Sequence, residues 1–510
     1  MSIRSIASLI LSCAVALEAQ SAAVTNGPVR ALSLAEAIQM SVSHSLALQI
    51  ERYTPEMAGY AVGAAYGYYD PAFTFSGRQD FRSSPGAFDP RLGTFTTPNE
   101  SWTESFASGL TGYAATGLRY ELFATLGRNS GEFSFTSATN PTPFLIDRPF
   151  EYRSQVGINF TQPLLKNFWA DAGRTKIRIS KSDLKISEQG LTFALMDTVA
   201  RVQQAYYELI AARDDIGVKQ KAVELAQRVA SDTRKKVEVG TEASLAEKLA
   251  ESQAATARSD LLTARNNAAR AENALKNLLT DNYGPLHDTV LEPTEGLVRV
   301  PETFNRAESW TAGLQRRPDY QQLKEELEKQ NILLRFDHNQ LFPQLDLVGT
   351  VLRNGLSDTL GGTADRVRGG DNPGWGGGGV LTVPLTLKAE RNNYKLRKAA
   401  QKQAVLRLKK LEQDILVQID DAVNQAQSDF DRIDATRQAR IYAEDALRAE
   451  EIKLQNGKST ITEVLRVQRD LTAARSAEIR ALADYNKSLS GLYFKEGTTL
   501  ERNRISVQTR

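Results

Sequence analysis

Residues 408–433 read LKKLEQDILVQIDDAVNQAQSDFDRI, and in them Leu408, Leu411, Ile415, Ile419, Ala422, Ala426, Phe430 and Ile433 step by three or four. That spacing lays the apolar side chains along one stripe of a helix, the seam of a coiled coil. The surrounding tract, 388–454, contains neither Gly nor Pro. At about 1.5 Å per residue it extends roughly 100 Å, too long to be buried in one compact domain. Alanine at several seam positions implies close neighbours on more than one side, hence a bundle or a cylinder. A solitary fibrous coiled coil would not carry strands between its helical halves.

The same plan occurs twice. The first copy opens at Leu32-Ser33-Leu34-Ala35-Glu36-Ala37, reaches Asp70-Pro71-Ala72-Phe73, passes strand-like segments to Gln162-Pro163-Leu164-Leu165, and then runs as helix with a seam at Leu195, Val199, Val202, Tyr206 and Leu209. The second carries Arg317-Pro318-Asp319 inside its opening helix, starts its strands at Phe342-Pro343-Gln344-Leu345 and ends them at Val383-Pro384-Leu385. Single glycines, in Val239-Gly240-Thr241 and Asn456-Gly457-Lys458, interrupt the two long tracts at comparable depths. Glycine there reads as a helix C-cap that turns the chain back, with helix resuming at about Ser244 and Ser459. Each copy then has a β end and a helical tip, and a repeat of this kind argues for architecture before chemistry. The expected boundaries are a first repeat at 32–280 (strands from 72–82 to 153–162, long helices 173–280), an inter-repeat linker at 281–304, a second repeat at 305–493 (strands 344–353 and 375–384, long helices 388–492), and a polar tail at 494–510.

Composition narrows the class. The 510 residues are 24% charged with a net charge of +2, and acids alternate with bases along the helices; solvated helix faces look like this, while a nucleic-acid surface needs clustered Lys and Arg. Arg4, an apolar stretch from Ile6 to Leu17 and small residues at Ala19, Ser21, Ala22 and Ala23 read as a signal peptide over 1–23. Cys13 is the single cysteine. Ile10-Leu11-Ser12-Cys13 loosely resembles a lipoprotein box, which leaves lipidation of Cys13 open; cleavage near Ser21 or Ala23 leaves a chain without a thiol.

No other segment approaches the ~18 apolar residues of a spanning helix, so a membrane crossing has to use strands that close into a barrel. Phe73, Phe75, Gly77 and Phe81 alternate with Thr74, Ser76, Arg78 and Asp80. Leu118, Tyr120, Leu122, Ala124 and Leu126 repeat the pattern, as do Val156, Ile158 and Phe160 against Gln155, Asn159 and Thr161. In the second copy Leu345, Leu347 and Val351 alternate with Asp346 and Thr350, and Trp375, Leu381 and Val383 share a face across a glycine run. A soluble antiparallel sheet with one wet face alternates in the same way. Two to four strands per copy are too few to close a barrel in one chain, so closure needs several chains. The segments 83–100, 129–148 and 354–379 read as polar, Gly-rich loops, with an extra hairpin expected in the longer β excursion of the first copy.

These residues, in order and in duplicate, resemble the TolC-like outer membrane factors, the exit ducts of tripartite efflux pumps and type I secretion systems. The carriers are the Leu32 to Ala37 opening, Gln162-Pro163-Leu164-Leu165, Ala205-Tyr206-Tyr207-Glu208-Leu209 and the two glycine turns. The resemblance implies a long antiparallel coiled-coil helical barrel in the periplasm joined to a 12-stranded outer-membrane β-barrel, built as a homotrimer in which each chain gives four strands. It implies contact with outer-membrane lipid, a periplasmic adaptor docked at Val239, Gly240, Thr241, Asn456, Gly457, Lys458 and Ser459, and an inner-membrane pump behind it. A pore constriction falls at Glu463 and Arg466; the arginine departs from the carboxylate expected there, and the pair also reads as an ordinary i, i+3 surface pair. The residues that latch the closed state in the family correspond to Leu454, Ser459 and Ala246, which match them poorly.

No catalytic, cofactor or metal constellation emerges. Gly457-Lys458-Ser459 ends like a phosphate loop, but Ile452 stands where the first glycine belongs and a helix precedes it. His44, His287 and His338 are isolated from any second ligand at metal spacing. Two function classes remain: a passive export duct, and a periplasmic coiled-coil adaptor or scaffold that never enters the membrane.

Overall fold

The computed structural model describes residues 28–86, 88–90, 93–95, 98–135 and 144–505. The segment read as a signal peptide, Cys13 with it, lies outside them. In chain order the elements are β1 (Val29–Leu32), α1 (Leu34–His44), α2 (Leu46–Tyr66), β2 (Ala72–Ser84), β3 (Phe88–Asp89), β4 (Thr94–Phe95), β5 (Asn99–Tyr113), β6 (Arg119–Phe135), β7 (Phe144–Pro163), α3 (Ala172–Glu238), α4 (Ser244–Leu279), α5 (Tyr283–His287), β8 (Val290–Pro293), α6 (Arg306–Arg316), α7 (Pro318–Asn339), β9 (Gln344–Ser357), α8 (Leu360–Gly369), β10 (Asn372–Thr382), α9 (Lys388–Gln455), α10 (Ile461–Glu496) and α11 (Thr499–Arg502). The duplication is visible in element lengths. α1 and α6 have 11 residues each, α2 and α7 have 21 and 22, α3 and α9 have 67 and 68, and α4 and α10 have 36 each.

The chain divides into two compact units. The first gathers the described residues up to Tyr53 with Gln189–Tyr320 and the described residues from Leu411 onward. Its core joins Leu195, Met196, Val199, Val202, Tyr206 and Leu209 of α3 to Leu275 and Leu279 of α4, Ala37 and Ile38 of α1, and Leu291 of β8. The Tyr206 hydroxyl, fully buried, donates to the Leu32 carbonyl at 2.9 Å. Ser33 caps α1, accepting from the Glu36 amide at 3.2 Å, so the Leu-Ser-Leu-x-Glu-Ala opening is a capped helix start laid on this core.

Three sequence expectations change in this unit. The 281–304 segment is more than a linker: β8 pairs in parallel with β1, Leu32 opposite Pro293, and Leu291 is core. Residues 494–505 do not hang free as a polar tail. α10 continues to Glu496, Gly497 turns the chain at φ 76°, and Leu500 of α11 is buried in the main core, because its apolar side chain and that of Ile505 find cover there. Arg317-Pro318-Asp319 breaks the helix it was expected to continue: Arg317 is extended (φ −67°, ψ 122°) and Pro318 starts α7, since a residue before proline is driven out of the helical region while proline suits a first turn.

The second unit, Thr54–Glu188 with Gln321–Lys410, holds the sheet. Six antiparallel strands run in the order β10-β9-β7-β6-β5-β2, where the resemblance implies four. The two additional strands, β5 and β6, form the inserted hairpin between β2 and β7. The loops read at 129–148 and 354–379 are partly regular structure. β6 carries on to Phe135 past an irregularity between Asn129 and Gly131, α8 occupies 360–369, and Gly376, Gly377, Gly378 and Gly379 lie inside β10, paired with β9 from Thr350 to Leu347.

Candidate functional site

Register sorts every strand of the sheet onto two faces, because directly paired residues share a side. The row Phe73, Leu110, Leu122, Ile158, Val351 and Trp375 crosses all six strands on one face. Above and below it on that face lie Phe75, Phe106, Leu126, Val156, Phe160, Leu347 and Leu381. The opposite face carries Thr74, Ser76, Arg78, Asp80, Thr103, Ser105, Arg119, Glu121, Gln155, Asn159, Asp346, Thr350 and Asn354, laced by side-chain bonds such as Thr350 to Asn159 (2.8 Å), Gln155 to Asn354 (2.9 Å) and Asn159 to Glu121 (3.3 Å). Away from α8 the apolar face is open: Phe73 is 70% and Trp375 87% exposed. Strands of 11 to 20 residues exceed the ~10 residues that a tilted strand needs to cross a bilayer. None of the described helices is long and apolar enough to do so. One apolar and one hydrated face, continuous over six strands, is the layout of a β-barrel wall between lipid and water. α8 lies on the apolar face, with Thr363 buried against the Tyr152 carbonyl (3.3 Å) and a side chain at Gly355 excluded by the Thr363 backbone.

At the other functional candidates, both glycine turns have the same hydrogen-bond geometry. Gly240 (φ 74°) donates to Val237 O at 3.0 Å and Thr241 N to Lys236 O at 2.8 Å; Gly457 (φ 70°) donates to Leu454 O at 3.1 Å and Lys458 N to Lys453 O at 2.8 Å. These are paired Schellman caps, closing the last carbonyls of α3 and α9. Asn456 and Thr241 add side-chain bonds, Asn456 Nδ2 to Ile452 O (2.9 Å) and Thr241 Oγ1 to Lys236 O (2.9 Å). The second turn is longer than expected: Ser459 donates to Glu450, and Thr460 takes the N-cap of α10, its hydroxyl accepting from the Glu463 amide at 3.4 Å. Beneath the turns Ala250, Ile461 and Leu465 pack with Val229, Ala230, Ala246 and Leu454. Leu454 and Ala246 thus hold the two hairpins together by apolar contact.

Val239, Leu245, Leu249 and Ile452 remain exposed around the turns, Val239 at 74%. The last three were missed by sequence reading. Leu245 and Leu249 carried a signal, as apolar residues near the turn that fall off the buried stripe of α4 formed by Ala250, Ala254, Ala257 and Leu261. One turn into α10, Arg466 donates to Glu463 through Nε (3.1 Å to each oxygen) and to Asp470 through Nη1 (3.1 Å). The hydrogen bond and charge of Arg466 hold the Glu463 carboxyl below its ordinary range. Within one chain the two residues therefore form the local surface pair.

The two-faced sheet and the doubled helical hairpins define a class, the strand-and-helix channels of the outer membrane. The outer membrane efflux protein family matches residues 129–280 and 312–498, well over half the chain. The chain belongs to that family, whose members are outer-membrane efflux channels rather than enzymes. No curated protein matches the sequence significantly. Among solved structures, the fold is similar to the outer membrane channel CmeC of Campylobacter jejuni (16% identity, 91% of this chain and 86% of that one, TM-score 0.63), the outer membrane protein VceC of Vibrio cholerae (17%, 91% and 96%, 0.64) and the open state of the MtrE outer membrane channel of Neisseria gonorrhoeae (16%, 92% and 89%, 0.63). Channels of this family are trimeric and work with an adaptor and an inner-membrane pump.

Proposed function

We propose that this protein is the passive exit duct of an export assembly, seated in the outer membrane as a homotrimer and fed through a periplasmic adaptor by an inner-membrane pump. The observation that carries the reading is the face segregation of the sheet: lipid solvates the Phe73 to Trp375 row, and water fills the side bearing Thr74, Arg78, Asn159 and Thr350. The adaptor docks at Val239, Gly240 and Thr241 and at Asn456, Gly457, Lys458 and Ser459, with Leu245, Leu249 and Ile452 supplying apolar contact beside the caps. Glu463 and Arg466 ring the narrow end of the duct. Arg466 offsets the Glu463 charge, and Asp470 on its other side leaves the cluster with a small net negative charge in each chain, so the ring favours cations only weakly.

Expressed in a Gram-negative host, the protein should fractionate with the outer membrane and migrate on gels as a species that heating converts to monomer. Release with the periplasmic fraction, as a monomer heated or not, would favour a scaffold and sink the proposal.

A further inference from the structure

β10 contains four consecutive glycines that its own chain does not require. None has the positive backbone angle that favours glycine. A Cβ at Gly376, Gly378 or Gly379 would meet nothing within 4 Å, and one at Gly377 only ordinary contact with Val348 O at 3.7 Å. Glycine weakens a strand, so an unforced run marks a place where something else approaches closely.

Elsewhere on the same sheet, the glycines of the apolar face have a visible partner. A side chain at Gly349 would collide with the Phe160 ring, one at Gly112 with Tyr120, and one at Gly77 would press on Phe106 at 3.2 Å. Each aromatic sits directly across the strand pair from its glycine. Gly377 and Gly379 lie on this face too, but at the sheet's outer edge, where no strand follows among the described residues. The other outer edge, β2, presents Phe73 and Phe75 on that face, 70% and 68% exposed, with no further strand beyond them among the described residues. Six strands alternate in direction, so β2 and β10 run antiparallel and a head-to-tail ring of copies can close.

We propose that the occupant of the glycine edge is a second copy of this chain: Phe73 and Phe75 on β2 of one protomer lie over Gly377 and Gly379 on β10 of the next. Rested on the trimer of the functional reading, three six-stranded sheets then form an 18-stranded wall. Barrel diameter grows about linearly with strand number, so the membrane pore is roughly half as wide again as a 12-stranded one. The β5–β6 hairpin is what widens it. Aromatic cover of edge glycines fixes the register of the seam, which backbone pairing alone leaves free to slip.

The test uses the full-length chain in outer membranes. Gly377→Val and Gly379→Val have room within the chain and suit a strand, so each subunit still folds, as circular dichroism will check. The detergent-resistant trimer should fall by roughly tenfold, the scale of overpacking at a single site. Exchanging sides, with Phe75→Gly or Phe73→Gly combined with Gly377→Phe or Gly379→Phe, should restore it in the pairing that matches the register. Electron cryomicroscopy of the unmodified trimer should count 18 strands. Valine variants with undiminished trimer, or a wall of 12 strands with β5–β6 outside it, would overturn the seam while leaving the duct intact. Failure of the unmodified chain to form any membrane trimer would overturn both.

Discussion

Gly240 and Gly457 act through backbone conformation alone. Open space surrounds both, yet φ near +70° makes any side chain costly, about 1–2 kcal/mol for an L-residue. Substituting alanine at both should leave membrane insertion unchanged and loosen the caps, cutting copurification of the adaptor; undiminished copurification would remove the docking role from these turns. Glu463 makes a different kind of prediction. Glu463→Gln removes one negative charge from each chain while Asp470 still holds Arg466, and should shift reversal potentials in planar bilayers toward anions. An unchanged reversal potential would take the pair out of the pore. Both glycines could be read in the sequence because only their spacing and type mattered. Leu245, Leu249 and Ile452 were passed over because an exposed apolar residue beside a coiled-coil seam differs from a buried one only in its angular position around the helix.

Among elements, α9 and α10 are tied by a charge network as well as by apolar packing. Glu444 accepts from Arg475 (2.9 Å) and Arg440 (3.0 Å), while Arg440 also bonds Glu478. Those arginines hold the Glu444 carboxyl below its ordinary value of 4.5. A carboxylate with a depressed folded-state pKa contributes stability that is complete above the ordinary value and lost as pH falls through the lowered one. Melting temperature of the detergent-solubilised protein should therefore decline below about pH 4.5, and Glu444→Gln should flatten that decline while lowering the melting point at neutral pH. Equal slopes in both proteins would assign the acid loss elsewhere. On the sheet, Val351→Arg and Thr350→Arg are neighbours in sequence and opposites in environment. Arginine at the lipid face costs about 2–4 kcal/mol near the midplane, while a lumen substitution is tolerated; outer-membrane trimer should drop for the first and persist for the second. Equal yields would mean that the apolar face does not meet lipid.

For the molecule as a whole, the duplicated helical plan was readable because a seam such as Ile415, Ile419, Ala426 and Ile433 repeats over dozens of residues and every one of these is buried. Strand number was harder. On β5 the apolar face interleaves Trp102, Phe106 and Leu110 with Glu104 and Ser108, so its alternation is broken, and the four glycines of β10 imitate a loop. Their meaning lies in partner strands, which a single sequence does not display. What unites the scales is a wall that separates lipid from water around an open path. Reconstitution of the purified trimer into planar bilayers tests that directly: discrete, ohmic conductance steps without added nucleotide or partner are the predicted result, and trimers that bind the bilayer yet pass no current would contradict it.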